Sequence, residues 1–244
     1  HVDESDLAEA RTKARSRLRE RLDEVGLAGG DLSDRLTVLP GPPARALLER
    51  AKELGAALLL LGPHAKHGLL DFDNTVRAVL AHAQCPVWVQ PGEPTEIRRI
   101  LVAYDLSEES RAALSSALRL ARALGARLHV LHCFVRPELG FVLGYPIPFP
   151  AGVVDGARDT AQREFEASLA ALDWTGVEHD STFVEADPAG EILERQGEFD
   201  LIVMGTHGRT GLSGAILGSV ANSVLRSAER PVLALRHAGR NWLA

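Results

Sequence analysis

The stretch DLIVMGTHGRTGLSGAILGSVANSVLRSAERPVLALR, Asp200 to Arg236, reads as a strand, a glycine-rich connection, a helix and a second strand. LIVM is apolar without alternation, the pattern of a strand covered on both faces. Gly205, Gly208, Gly211, Gly214 and Gly218 follow in quick succession. SVANSVLRSAER then returns to the three- and four-residue apolar spacing of a helix, and PVLALR is short and apolar again. A helix between two such strands implies a right-handed crossover and parallel pairing.

The same plan continues upstream. IRRILVAYD (Ile97 to Asp105) predicts a strand, SEESRAALSSALRLARALGA a helix closed by glycine, and RLHVLHCF (Arg127 to Phe134) a second strand. DTAQREFEASLAALDWTG predicts a helix, STFVEAD a third strand, and PAGEILERQGEF a helix with Pro188 in its first turn. Apolar strands alternating with amphipathic helices give an α/β fold, an open doubly wound parallel sheet, and such sheets bind ligands beyond the carboxyl ends of their strands.

This unit is written twice. PARALLER (Pro43 to Arg50) is echoed by PAGEILER (Pro188 to Arg195), and CPVWV (Cys85 to Val89) by RPVLAL (Arg230 to Leu235), both at an offset of 145 residues. GAALLLLGPH matches FDLIVMGTH in the same order. Matches in register imply tandem domains, residues 1–92 and 97–238, joined by the linker PGEPTE (Pro91 to Glu96). The first copy opens on the helix DLAEARTKARSRLRERLDEVG and continues through RLTVLPG, PARALLERAKELG, AALLLLG and the helix NTVRAVLAHAQ to PVWVQPG. His1-Val2 fall opposite His132-Cys133, so this copy is expected to lack its first strand, first helix and most of its second strand within these 244 residues. Between Phe134 and Asp159 runs a long connection rich in proline and aromatic residues, read as a lid, a contact surface or a loop without regular structure.

Composition narrows the function classes. The 244 residues are 45% hydrophobic and 25% charged, and no apolar run approaches the roughly 20 residues that span a bilayer. A net charge of −6 provides no general field for nucleic acid, although a local basic patch is compatible with it. Cys85 and Cys133 lie in apolar strand contexts without metal-ligand spacing, as reduced thiols of a cytoplasmic protein would. No basic stub followed by an apolar segment opens the sequence, so no secretory signal is read there.

The glycine segment sits where strand LIVM ends and helix SVANSVLRSAER begins. Glycine lets backbone N–H groups approach a ligand, and a helix start presents unpaired N–H groups at the positive end of a dipole. Together they suit phosphate, while a plain flexible turn remains the alternative. No GxxxxGK[ST] occurs, and the glycines follow the fourth strand of the unit, which argues against a dinucleotide-binding turn.

Gly205, two residues, Gly208, nine residues, then Gly218-Ser219 resembles the G-2x-G-9x-G-[ST] motif of ATP-binding universal stress proteins. ILVAYDLSEESRAAL, LHVLH and RPVLALR resemble that family's first, second and fifth strands with their surroundings. The resemblance implies five-stranded sheets of order 3-2-1-4-5, joined through their last strands into an intramolecular pseudo-dimer, with a homodimer also open. It implies ATP as the ligand, with Mg²⁺ only as the companion of its phosphates. Ala103 and Tyr104 would line the base site, Asp105 would approach ribose or adenine, and the Cys133 backbone would contact adenine. Met204 and Gly205 would flank the nucleotide, and His207 and Gly208 would face phosphate. Gly218, Ser219 and Val220 would cradle it, with Arg209 near the phosphate oxygens. Ala221 stands where the family often has a hydroxyl, so one side-chain contact is missing. The residues alone allow other roles: Asp105 or Ser219 as helix caps, and His207 and Arg209 as solvated loop residues.

The first copy departs from the motif. Gly62 is kept, but Ala65 stands for Gly208, and Asp73-Asn74 stand for Gly218-Ser219. A carboxylate at a helix start competes for the N–H groups and repels phosphate, so this copy is expected to be a structural partner without ATP. An adenylyl-transfer enzyme would need a phosphate loop such as SGGxDS after the first strand, where this chain has YDLSEES. No positioned base or metal-holding carboxylate is marked near the glycines, so any ATP hydrolysis would be slow. A nucleotide-binding stress-response module is therefore the leading reading, and a ligand-free dimerisation scaffold the alternative.

Overall fold

The computed structural model describes residues 4–24, 36–62, 71–142, 145–148, 150–208 and 217–236. Its contacts divide the chain into two units, 1–49 and 50–244. The first holds α1 (Glu4–Glu24), an exposed helix with an Arg21–Glu24 ion pair of 3.0 Å, and most of α2 (Pro43–Glu53). Residues 36–40, part of the apolar stretch RLTVLPG, are not in a strand. A strand needs a laddered neighbour, and no strand among the described residues is laddered to this segment.

Among the described residues the second unit holds nine strands in two sheets. β1 (Leu59–Leu61) is followed by α3 (Asp71–His82) and β2 (Val87–Val89), the remainder of the first repeat. The second repeat supplies β3 (Arg99–Ala103), α4 (Glu108–Leu124), β4 (Arg127–Phe134), α5 (Ala151–Ala170), β7 (His179–Glu185) and α6 (Pro188–Arg195). It closes with β8 (Leu201–Gly205), α7 (Ser219–Ser227) and β9 (Val232–Leu235). The seven-stranded sheet has the order β1-β2-β9-β8-β3-β4-β7, so the second repeat alone follows 3-2-1-4-5. All its pairings are parallel except β2 with β9, where Trp88 stands opposite Leu233. This antiparallel joint links the last strands of the two repeats, and for that reason the division by contacts does not follow the repeat boundary at 91–96.

Alternation along each strand distributes side chains to two covered faces. Ile100, Val102, Leu128, Val130, Leu201, Val203, Leu233 and Leu235 pack with Ala113, Leu114 and Ala117 of α4 and Phe165 of α5. Leu101, Leu131, Ile202, Met204 and Val232 pack with Ile192 of α6 and Ala221 and Val224 of α7. The helices start where sequence chemistry allows. Ser107 caps α4 by accepting from Ser110 N, and Gly125 closes it at φ 64°. Asp187 caps α6 by accepting from Gly190 N at 2.8 Å, with Pro188 in the first turn as predicted. Buried Gln90 holds the linker by donating to the Gly92 and Glu93 carbonyls at 3.1 and 3.3 Å.

The connection after β4 differs from its expectation. It forms a hairpin of β5 (Glu138–Val142) and β6 (Tyr145–Pro148), and α5 then begins at Ala151 instead of near Asp159. Val154 and Ala161 of the added and following turns are buried against Phe134, which gives that extension its anchor.

Ile202 has no exposed surface at the centre of the ladder. Ile202→Ala is expected to lower unfolding stability by about 2–5 kcal/mol in urea titration, the cost of a large-to-small change in a close-packed core. A loss below about 1 kcal/mol would contradict the packing described.

Candidate functional site

The crossovers leaving β3 and β8 pass to opposite faces of the sheet, through α4 on one side and α7 on the other, and a cleft opens between the two carboxyl ends. It holds a cavity of about 420 Å³. Twelve of the thirteen residues assigned from sequence line it: Ala103, Tyr104 and Asp105 after β3, Cys133 on β4, Met204, Gly205, His207 and Gly208 after β8, and Gly218, Ser219, Val220 and Ala221 at α7. Arg209 lies outside the described residues, as do Thr210 to Ile216 and, in the first repeat, Ala65.

At one side of the cavity stands the start of α7. Gly218 occupies the cap position and brings no side-chain cap, and its own N–H donates to Thr206 O at 2.8 Å. The first intrahelical bond is Asn222 N to Gly218 O, so the helix itself uses none of the N–H groups of Ser219, Val220 and Ala221. Ser219 is the first helical residue and not the cap. The Ala221 methyl is buried in the core, leaving only its N–H toward the turn.

Opposite, Asp105 holds the turn after β3. Its Oδ1 accepts from Ser107 N at 3.0 Å and from Ser107 Oγ at 2.5 Å, and Ser107, not Asp105, caps α4. Leu106 is pushed to φ 69° between them, a conformation that a branched residue adopts only at a cost. A Cβ placed on Gly208 would lie 2.7 Å from Asp105 Oδ2, so the carboxylate and the glycine loop approach across the cleft. His207 shares a 3.0 Å hydrogen bond with Thr206 through Nδ1, and its Nε2 is buried without a partner among the described residues.

The glycines divide by purpose. A Cβ on Gly205 would stand 3.0 Å from Glu109 Cβ and 3.2 Å from the Glu109 backbone, and one on Gly218 would stand 3.0 Å from Thr206 O. Those two are required by packing, with or without a ligand. Gly208 meets only the end of one side chain, so it is the glycine whose absence of a Cβ keeps the cleft open.

The strand ladder leaves a backbone pair unused at the rear. Tyr104 N donates to Leu131 O at 2.9 Å, the last rung between β3 and β4. The next rung would join Cys133 N to Tyr104 O. That carbonyl instead accepts from His132 Nδ1 at 2.7 Å. Among the described residues no backbone partner faces the Cys133 N–H and C=O on this side. The Cys133 thiol itself is pushed up to about 12, first by burial and then by the Glu191 carboxylate.

Sequence reasoning missed eight lining residues: Ser110, Leu131, His132, Phe134, Val135, Pro188, Ile192 and Thr206. His132, Phe134 and Thr206 adjoin assigned positions, and Leu131 and Val135 lie two residues from Cys133, so these five could have been found by extending the strand ends; Ser110, Pro188 and Ile192 arrive through helix packing. Among the described residues no group of three or more His, Cys, Asp or Glu is placed to hold a metal ion, and no helix is long and apolar enough to cross a membrane. The cleft offers N–H donors at a helix start, an apolar wall and a free strand-end amide, an arrangement suited to holding a flat ring at one end and an anion at the other.

Comparisons with known proteins agree with this architecture. The universal stress protein family matches residues 1–91 and 96–236. A universal stress protein of Mycobacterium tuberculosis is 30% identical over 209 residues, covering 80% of this chain and 66% of the relative, so the chain spans just under two thirds of that protein. One of Thermus aquaticus is 34% identical over 142 residues, covering 57% of this chain and 98% of the relative. The crystal structure of a universal stress protein from Archaeoglobus fulgidus superposes with a TM-score of 0.67 at 22% identity, over 96% of this chain and 82% of that one, a likeness of fold.

Two measurements check the site. Gly205→Ala is expected to destabilise the protein by about 1–3 kcal/mol, because helix α4 must move, and to lower Tm by several degrees, whereas Gly208→Ala should shift Tm far less. Equal shifts would remove the distinction between the glycines. With its thiol held near 12, Cys133 should react with iodoacetamide at pH 8 much more slowly than a free thiol, its rate climbing only at strongly alkaline pH. Rapid labelling at pH 8 would show an exposed, ordinary cysteine.

Proposed function

Because the chain belongs to the universal stress protein family, we propose that its second repeat, residues 97–238, binds an adenine nucleotide, ATP foremost, and acts as a stress-response regulator. The observation that carries this reading is the uncapped start of α7, which stands beside the Thr206–Gly208 turn and opposite Asp105 on a cavity of about 420 Å³. Three N–H groups with no intrahelical acceptor, at the positive end of a helix, favour a phosphate chain, and hydrogen bonds to an ionised acceptor are the stronger kind.

In this reading Gly218, Ser219 and Val220 cradle phosphate, Ala221 contributes its N–H alone, and His207, Gly208 and Arg209 lie along the phosphates. Met204 and Gly205 flank the nucleotide, Asp105 takes the ribose, and Ala103, Tyr104 and the Cys133 backbone meet the base. Mg²⁺ accompanies the phosphates and is not held by a protein site of its own. Buried His207 Nε2 supports a polar ligand in the cleft, since an unpaired buried nitrogen is costly. The net charge of −6 gives no long-range attraction, so association is expected at an unsteered rate.

The first repeat serves as the structural partner through the β2–β9 joint. Free Cys85 and Cys133 suit a reducing cytoplasm. Catalysis is not assigned: binding and a change of partner surface require no base.

Calorimetric titration with ATP and Mg²⁺, together with mass spectrometry of nucleotide released from freshly purified protein, tests the reading. Wild type should bind one ATP per chain, and Gly208→Asp, which places a carboxylate against Asp105 and the phosphates, should bind at least about tenfold more weakly. No retained nucleotide and no affinity in the wild type would overturn it and leave the ligand-free scaffold.

A further inference from the structure

His132 is the one strongly polar side chain on the face of β4 that packs beneath α5. It is 3% exposed, its ring stacks on Phe183 at 5.0 Å and 13°, and Phe165 lies 5.5 Å away. A purely apolar residue would fill such a position without the need to satisfy an imidazole. What the imidazole does there is specific: its Nδ1–H donates to Tyr104 O at 2.7 Å. A carbonyl can only accept, so Nδ1 carries the hydrogen.

The register of the sheet gives that bond its consequence. Ala103 pairs with Leu131, and the parallel ladder alternates so that Leu131 and Cys133 direct their backbone groups toward β3. Continued by one rung, the ladder would bond Cys133 N–H to Tyr104 O and seal the strand-end amide. His132 stands on one face of the sheet, and its Nδ1–H takes the Tyr104 carbonyl that this rung would use. The β3–β4 register ends at Ala103 and Leu131, and Leu106 follows at φ 69°.

We propose that His132 is a positioning residue for nucleobase recognition: by holding the Tyr104 carbonyl it keeps the Cys133 N–H and C=O available to a planar base bearing an amino group beside a ring nitrogen. The inference rests on the nucleotide reading of the cleft and adds to it a residue that need not touch the nucleotide. The aromatic stack fixes the imidazole plane, so its donor points at one carbonyl. Removal of that donor, with the stack retained, lets the ladder close.

The test uses the full chain with His132→Phe, which keeps the ring and loses the donor, and His132→Asn, whose amide nitrogen can replace Nδ1. Three quantities are read: hydrogen exchange of the Cys133 amide in nucleotide-free protein by NMR, affinity for ATP, and affinity for inorganic tripolyphosphate. His132→Phe should slow exchange of the Cys133 amide and weaken ATP binding about tenfold, the scale of one lost hydrogen-bonded contact, with tripolyphosphate affinity unchanged. His132→Asn should restore both. Unchanged Cys133 exchange and ATP affinity in His132→Phe would overturn the proposal, as would equal loss of ATP and tripolyphosphate, which would mark a general structural role. If the wild type bound no ATP, the nucleotide reading would fail by itself, and the exchange measurement would still show whether His132 governs the Cys133 amide.

Discussion

The parallel ladder from β9 through β8 to β3 is the constraint from which the rest follows. β8 is paired on both edges and buried on both faces, so its chain can leave only at its carboxyl end. β3 leaves beside it toward the other face, and two backbones departing in opposite directions cannot fill the space between them. The cleft is thus a product of connectivity, and its lining is whatever the strand ends and helix starts bring there.

Thr206 shows how tightly one wall is fixed. Its N–H donates to Leu235 O and its carbonyl accepts from Gly218 N, both at 2.8 Å, which ties β9, β8 and α7 into one corner. Its side chain reaches His207. The opposite wall is tied by the Asp105–Ser107–Ser110 sequence of bonds to the start of α4. A site whose donors are held by the scaffold in this way has little ordering left to do when a ligand arrives, and preorganisation of this kind favours affinity.

Much of this was legible in the residues. Unalternating runs such as LIVM and ILVA could only be strands covered on both faces, and the 145-residue offset revealed the tandem plan. The hairpin at 138–148 was not legible, because Pro146 and Pro148 argue against a central strand, whereas a two-stranded ribbon places them where no ladder bond is required. Residues 36–40 went the other way: they are not in a strand, and no strand among the described residues is laddered to them. At the site, glycine spacing located the cleft but not the reason for each glycine: Gly205 and Gly218 answer to Glu109 and Thr206, contacts that exist only once the sheet has formed. His132 could be placed in the lining by extending the strand end, but its bond to Tyr104 was not legible, since it depends on where β3 stops relative to β4.

Amide-resolved NMR of the 244-residue chain during titration with ATP addresses the central claim most directly. Shifts are predicted at residues 103–105, 131–135, 204–208 and 218–221, on both walls of one cleft, with the first repeat undisturbed. An absence of shifts, or shifts centred on residues 59–89, would contradict a nucleotide site at the β3–β8 divergence.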